Sequence, residues 1–293
     1  MSWSDPLAAA FAAIATLLAP IGVGLLLRVD RKVSAAMQLR VGPPLLQPLY
    51  DLTKLASKAS PTTDRLMAAL LTAHIVLAAG ALGMVLAGGD LLVAVLVLGA
   101  AQVLFILAAA SIESPYAQLG TSRELVMLVA TEPLLILVVV GYAVVAGSFS
   151  TATIAAGPTL LRALPTLGVT LAVLLAATLR KSPFDIATSG HGHQELVKGS
   201  TTEMAGRWLA LAELGHWYEA ALILALIAIA VIRLPLLAVG LVGVTYAVVV
   251  VVDNAIPRAT WRSALLMAWG VGGTAAIVAL LTARLATNGR LGP

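Results

Sequence analysis

Three titratable residues, Glu213, His216 and Glu219, recur at steps of three in the apolar stretch "LALAELGHWYEAALILALIAIAVI". On a helix, each such step turns the chain by about 300°, so the three side chains share a stripe about 120° wide. Acids and a histidine lined up on an otherwise apolar helix can bind and pass protons along a hydrated interior path. Glu132 is a second candidate, about ten residues into the run Leu125–Ala146 and so about 15 Å deep at about 1.5 Å per residue. Pro133 follows it and frees the carbonyl of Val129, so an acid sits beside a backbone defect that water or a proton can use. An acid or base at a helix centre costs about 2.5–3.5 kcal/mol on insertion scales, which is why such positions call for an explanation. The bland alternatives are a glutamic acid hydrogen-bonded to its own kink and, for the triplet, a helix start still at the interface.

A third concentration of ionisable groups is the stretch "KSPFDIATSGHGHQELVKG", Lys181–Gly199, with Asp185, His191, His193 and Glu195. Two histidines two apart with no cysteine are weak metal ligands, so His191 and His193 are read as loop hydrogen-bonding or proton-relay residues, and no metal site is assigned. Glu113 ends one apolar run, and Arg123 and Glu124 open the next, where an acid suits a helix N-terminus. Glu203 and Arg207 have the spacing of a helical i,i+4 ion pair. Asp253 and Asn254 close another run ahead of Arg258 and Arg262, which read as topology anchors.

The elements that must hold these groups are membrane spans. Of 293 residues, 60% are hydrophobic and 11% charged, against about 25% charged in a soluble domain; the mean hydropathy is +1.00. Apolar runs of about 20 residues, the length that crosses about 30 Å of hydrocarbon, recur throughout. Eight spans are expected: Leu7–Leu27, Leu66–Ala87, Leu91–Ala110, Leu125–Ala146, Leu160–Leu179, Leu209–Ile232, Leu236–Val252 and Ala264–Leu285. They make residues 1–293 one all-α, polytopic membrane domain, with Pro235 separating the sixth and seventh spans. The N-terminus lacks a basic region before its first run and reads as a span rather than a cleaved signal.

Long loops cover residues 28–65 and 180–207. In the first, "GPP" at Gly42–Pro44 interrupts any helix, and Leu45, Leu49, Leu52 and Leu55 share a face that predicts an amphipathic interfacial helix ending near Pro61. All of the 18 lysines and arginines except Arg162, Arg233, Arg284 and Arg290 fall in loops after odd-numbered spans. The positive-inside rule therefore puts those loops in the cytoplasm and both termini outside the cell membrane. A pI near 9.6 then reflects basic cytoplasmic loops, and no nucleic-acid partner is expected. With no cysteine, the chain cannot hold a thiolate-ligated iron–sulfur cluster, a Cys-based zinc site or a disulfide. No phosphate loop and no dinucleotide fingerprint occurs, so any redox cofactors are expected on partners.

The stretch "KSPFDIATSGHGHQELVKGSTTEMAGRWLALAELGHWYE" resembles the long cytoplasmic loop and sixth helix of the membrane subunit of energy-converting, membrane-bound nickel–iron hydrogenases of the Ech type. "AMQLRVGPPLLQPLYDLTKL" is similar to that family's first cytoplasmic loop, and "SPYAQLGTSRELVMLVATEPLLIL" to its third-to-fourth-span segment. The family is related to the complex I subunit that lines the quinone cavity. Pro183, Phe184 and Asp185 match its P-F-D motif, Glu195, Leu196 and Val197 its E-L-V segment, and Gln38, Arg40, Gly42 and Pro43 its Q-x-R-x-G-P segment. At Glu203–Gly206 this chain has "EMAG" where the family often has an aromatic residue followed by Ser-Gly; Glu203 and Gly206 remain.

The resemblance implies a complex I subunit 1-like fold and a non-catalytic anchor. Nickel–iron large and small subunits and iron–sulfur subunits would dock on the cytoplasmic loops, and an antiporter-like membrane subunit would lie beside the chain in the lipid bilayer. Electrons from ferredoxin would reduce protons on the partners' nickel–iron centre, and the membrane arm would move H⁺ or Na⁺. Taken together, the candidate coupling residues are Glu113, Glu132, Asp185, Glu195, Glu203, Glu213, His216 and Glu219, and the candidate docking or structural residues are Arg40, Arg123, His191, His193, Arg207 and Asp253. Three other readings stay open: a quinone-binding subunit of a complex I-type oxidoreductase, a free-standing transporter, and an anchor without ion conduction.

Overall fold

The computed structural model describes residues 6–42, 44, 46–60, 64–186 and 199–288. Within them the regular structure is helical, apart from a single bridge between Asp90 and Ser150. Helix α1 runs Pro6–Met37, α2 Gln47–Ser57, α3 Arg65–Leu86, α4 Leu91–Ala110 and α5 Pro115–Ala146. Three short helices follow: α6 (Thr151–Ala156), α7 (Leu160–Ala163) and α8 (Leu167–Thr178). Then come α9 (Gly206–Ile229), α10 (Pro235–Ala255), α11 (Trp261–Met267) and α12 (Thr274–Asn288), the last two joined by a π-helical stretch, Ala268–Gly273.

The starts and stops have local causes. The Asp64 carboxylate caps α3 by accepting from the backbone N–H groups of Leu66 and Met67, and Asp90 caps α4 through Val93. Pro115 and Pro235 sit in the first turns of α5 and α10, where the missing N–H costs nothing. Gly147 ends α5 with φ at 72°, a left-handed conformation that glycine adopts without strain.

Seven described helices, counting Trp261–Leu285 as one, are long and apolar enough to cross a membrane. The chain is a multi-pass membrane protein. The fifth expected span departs from the sequence reading. Pro165 breaks Leu160–Leu179, and α8 keeps only 12 residues, about 18 Å of helix against about 30 Å of hydrocarbon. The chain beyond α8 leaves regular helix, and Ser182–Ile186 are buried within the protein, which is where irregular backbone next to a membrane span is tolerated. Two other expectations placed helix ends at charges. Helix α1 continues through Arg28, Asp30, Arg31 and Lys32 to Met37, and α5 begins before Arg123 and Glu124. Hydropathy marks where lipid ends, and a helix can continue past that point.

The spans alternate in direction. At one end, the α3–α4 turn pairs with the α5–α6 turn through Asp90 and Ser150, and Leu161 N–H donates to the Ala230 carbonyl. At the other end α2 leads to the start of α9, where Ser60 Oγ donates to the Ala205 carbonyl. That second end carries the long basic loops. Helix α9 is central, packing on α1, α2, α3, α8 and α10; 61% of its apolar window is buried, against 22% for α1 and for α10. Leu49 and Leu52 of α2 pack on the main core and Leu55 on a smaller cluster with Trp208, so this amphipathic helix lies against the bundle; Leu45 and Pro61 lie outside the described residues. In the last span, Thr170 of the fifth segment donates to the Gly272 carbonyl within the π-helical stretch at 2.8 Å, and Thr166 to the Ala275 carbonyl of α12 at 2.9 Å.

Candidate functional site

Helices α4, α5 and α9 and the segment after α8 enclose a polar cavity of about 50 Å³, space for a few waters at about 10–15 Å³ each. Glu124, Thr131 and Glu132 enter from α5, Gln102 from α4, Glu219 from α9 and Arg180 from the end of α8, within walls such as Leu98, Leu135, Leu174 and Ile223. Glu132 fits because Gly99 faces it on α4: a Cβ there would stand 2.6 Å from the carboxylate. Pro133 lies inside α5 next to this acid.

Arg180 joins the acids to the histidine. Its φ of 51° is left-handed, a conformation that costs a non-glycine residue about 1–2 kcal/mol. The side chain pairs with Glu124 at 2.7 Å and donates to His216 Nε2 at 2.5 Å. A guanidinium only donates, so Nε2 of His216 is the acceptor. Arg180 also lies 5.8 Å from the Phe105 ring centroid, and Phe105 meets His216 edge-on at 4.7 Å. Ser200 Oγ donates to Glu124 at 3.1 Å, bringing the far end of the 180–207 loop to the same acid.

Beyond Phe105 lies His74, which the sequence reading passed over although it stands alone in the apolar run of α3. It is fully buried, its Nδ1–H donates to the Ala101 carbonyl at 2.8 Å, and its ring lies 6.1 Å from that of His216. The ring rests on Gly215 so closely that a Cβ would overlap Nε2.

A second ionic cluster fastens the P-F-D segment just past α8. Lys181 bridges Asp30 of α1 and Asp253 of α10, the latter at 2.9 Å, and Ser182 N–H donates to Asp253 at 2.7 Å. Burial by itself lowers the Lys181 pKa, but the two carboxylates outweigh it and hold the ammonium above its ordinary value. Asp185 pairs with Arg258 at 2.8 Å, Arg258 also donates to the Asp185 carbonyl at 2.6 Å, and Arg123 donates to the Ile186 carbonyl at 3.1 Å. The segment is therefore tied to α1, α5, α10 and the loop beyond α10.

Of the residues singled out from the sequence, Glu132, His216 and Glu219 come together around Arg180. Glu213 does not line the cavity. Asp185, marked for coupling, and Asp253 both act in the fastening cluster. Glu113 and Glu203 are exposed and apart from the cavity. The expected Glu203–Arg207 pair is absent among the described residues: Glu203 precedes α9, so no helical register connects the two, and Arg207 lies over the Trp208 ring at 4.7 Å. Arg40 is exposed beyond α1. His191, His193 and Glu195 lie outside the described residues. Arg180, Glu124 and Asp30, which do line the cavity or anchor the loop, were legible only as loop charges or a helix-start acid. Among the described residues no three metal-ligating side chains converge.

Comparison with known proteins gives the same architecture. A model of the family described as NADH dehydrogenase matches residues 9–284. Hydrogenase-4 component C of Escherichia coli (strain K12) is 33% identical over 226 residues, 71% of this chain and 69% of that protein. Formate hydrogenlyase subunit 4 of the same organism is 29% identical over 209 residues, 65% of this chain and 67% of that one. A chain from the membrane-bound sulfane sulfur reductase, an archaeal respiratory membrane complex, superposes with a TM-score of 0.76, covering 94% of this chain and 99% of that chain. At 20% identity, that last likeness is one of fold.

Proposed function

The chain belongs to the NADH dehydrogenase family, as a membrane subunit of hydrogenase-type and complex I-like respiratory complexes, and from that premise we propose that it couples electron transfer on peripheral subunits to ion movement. The peripheral subunits would be the nickel–iron large and small subunits with iron–sulfur partners, fed by ferredoxin, and an antiporter-like subunit would sit beside this one. The basic loops and both chain ends fit a cytoplasmic-membrane protein with its termini outside. The redox cofactors would be the partners' own; this chain supplies the docking loops and the titratable interior.

The observation that carries the reading is the position of Arg180. It belongs to the loop segment that partners would touch, yet its guanidinium lines one cavity with Glu124, Glu132 and Glu219. Two unit charges about 4 Å apart interact by about 4 kcal/mol at an effective dielectric of about 20, and about 1.4 kcal/mol is a tenfold change in proton occupancy. A loop displacement of a few ångströms would thus load or unload the acids. Lys181, Asp30 and Asp253 transmit the displacement because they clamp the neighbouring residue.

The test is the intact complex in inverted membrane vesicles, with hydrogen evolution and a pH-sensitive dye read together and a sodium-flux control. Glu132→Gln and Glu219→Gln keep size and hydrogen bonding but cannot ionise. Expected are normal assembly, nickel and iron co-purifying with this subunit, and a reduced gradient per hydrogen formed. A full gradient in both variants would leave the subunit as an anchor.

A further inference from the structure

Arg28 is the most deeply buried charged side chain among the described residues: it is 1% exposed, and its Nε and Nη1 have no hydrogen-bond partner. A buried cation without a counter-charge is among the costliest arrangements in a protein, and more so in a bilayer. Glu213, half-buried on α9, also has no bonding partner among the described residues.

Two independent contacts set these residues at one level. Gly24 of α1 meets the Trp217 ring of α9, where a Cβ would stand 3.0 Å from it. The helices run antiparallel, so one turn on from Gly24 is Arg28 and one turn back from Trp217 is Glu213. Residues four apart share a helix face, which places Arg28 and Glu213 on the facing stripes. The second route passes through α3. Thr16 lies 3.4 Å from the Cβ position of Gly83, and equal steps along antiparallel helices bring Arg28 level with Leu71. His74 rests on Gly215 between parallel helices, which brings Leu71 level with Ala212, next to Glu213.

The other acids on the packed elements are engaged. Asp30 points to Lys181, as does Asp253 of α10. Asp51 of α2 accepts from Gln47, Asp64 caps α3, and Glu219 lines the cavity. On α3 the same register brings Leu71 level with Arg28, and His74 lies one turn deeper. Among the described residues of these elements, Glu213 is the remaining counter-charge.

We propose that Arg28 is a positioning residue for Glu213, and that the two close as an ion pair across the α1–α9 interface. In this structure the register sets them at one level, and no direct bond joins them. His216 is one turn from Glu213, so the pair stands at the cytoplasmic approach to the Arg180–His216–Glu219 group. This deepens the coupling role and rests on it only for the last measurement below.

The chain has no native cysteine, so paired cysteines report proximity cleanly. Arg28→Cys with Glu213→Cys should be joined by a short bifunctional thiol reagent in native membranes, read by mass spectrometry. Val29→Cys with Glu213→Cys, whose α1 partner faces outward, should not. Absence of the first cross-link overturns the proposal. In melting of the solubilised complex, Arg28→Gln and Glu213→Gln should each lower the midpoint, the double variant by less than the sum, and Arg28→Lys should recover most of the loss. Strictly additive shifts overturn it as well. Neither measurement needs hydrogenase activity, so failure of the hydrogenase reading leaves both standing. In vesicles, Arg28→Gln should lower the gradient per turnover and Arg28→Lys restore it; an unchanged ratio would reject the positioning role.

Discussion

Replacing Lys181 with methionine removes the single cation that two carboxylates share. The Lys181 side chain is 12% exposed and those of Asp30 and Asp253 are 5% and 9% exposed, so solvent screens the cluster little. Removing one partner of a buried ion pair costs about 3–5 kcal/mol, here with two like charges left close together. At about 2–4 °C per kcal/mol for a chain of this order of size, the loss is roughly 6–20 °C in melting temperature. The assay is thermal unfolding of the detergent-purified complex, with retention of the peripheral subunits followed on the same sample. Adding Asp30→Asn and Asp253→Asn to Lys181→Met removes the uncompensated charges and should recover much of the stability. A wild-type melting point for Lys181→Met, or no recovery in the triple variant, would refute the reasoning. The pH dependence has a definite sign. The folded-state pKa of Lys181 is raised, so its contribution is fully present below the unfolded value of about 10.4. It is lost only as the pH rises through the folded value, and stability from this cluster stays flat across neutral pH.

Two further outcomes follow from packing and topology. Gly215→Ala puts a methyl group into the His74 ring and should destabilise the α3–α9 contact by about 1–3 kcal/mol, measured by melting; an unchanged midpoint would mean that the helices separate freely there. If both termini are outside, Thr153→Cys should react with an impermeant thiol reagent in intact cells while Ser57→Cys reacts only after permeabilisation, and the reverse pattern would invert the topology.

What could be read from the sequence was set by local chemistry. Seven spans were visible because a lipid-crossing helix needs a long apolar run whatever its neighbours are. The amphipathic α2 was visible because its leucines repeat with the helical period. Glu132 and Glu219 stood out because an acid in such a run is costly wherever it faces. The broken fifth span had a local signal in Pro165, which the apolar run concealed. The rest depended on how helices rotate and how deep each residue lies. Arg180 looked like one more loop charge; only the shortness of α8 carries it inside the bundle to Glu124 and His216. Asp30 and Asp253 lie at opposite ends of the sequence, and it takes the packing of α1 and α10 on the segment after α8 to put one lysine between them. Glu213 and Glu219 share a stripe in sequence, yet only Glu219 lines the cavity. Hydropathy records the cost of placing a charge in the membrane, whereas the partner that offsets that cost is chosen by interhelical register, a property of the assembled bundle.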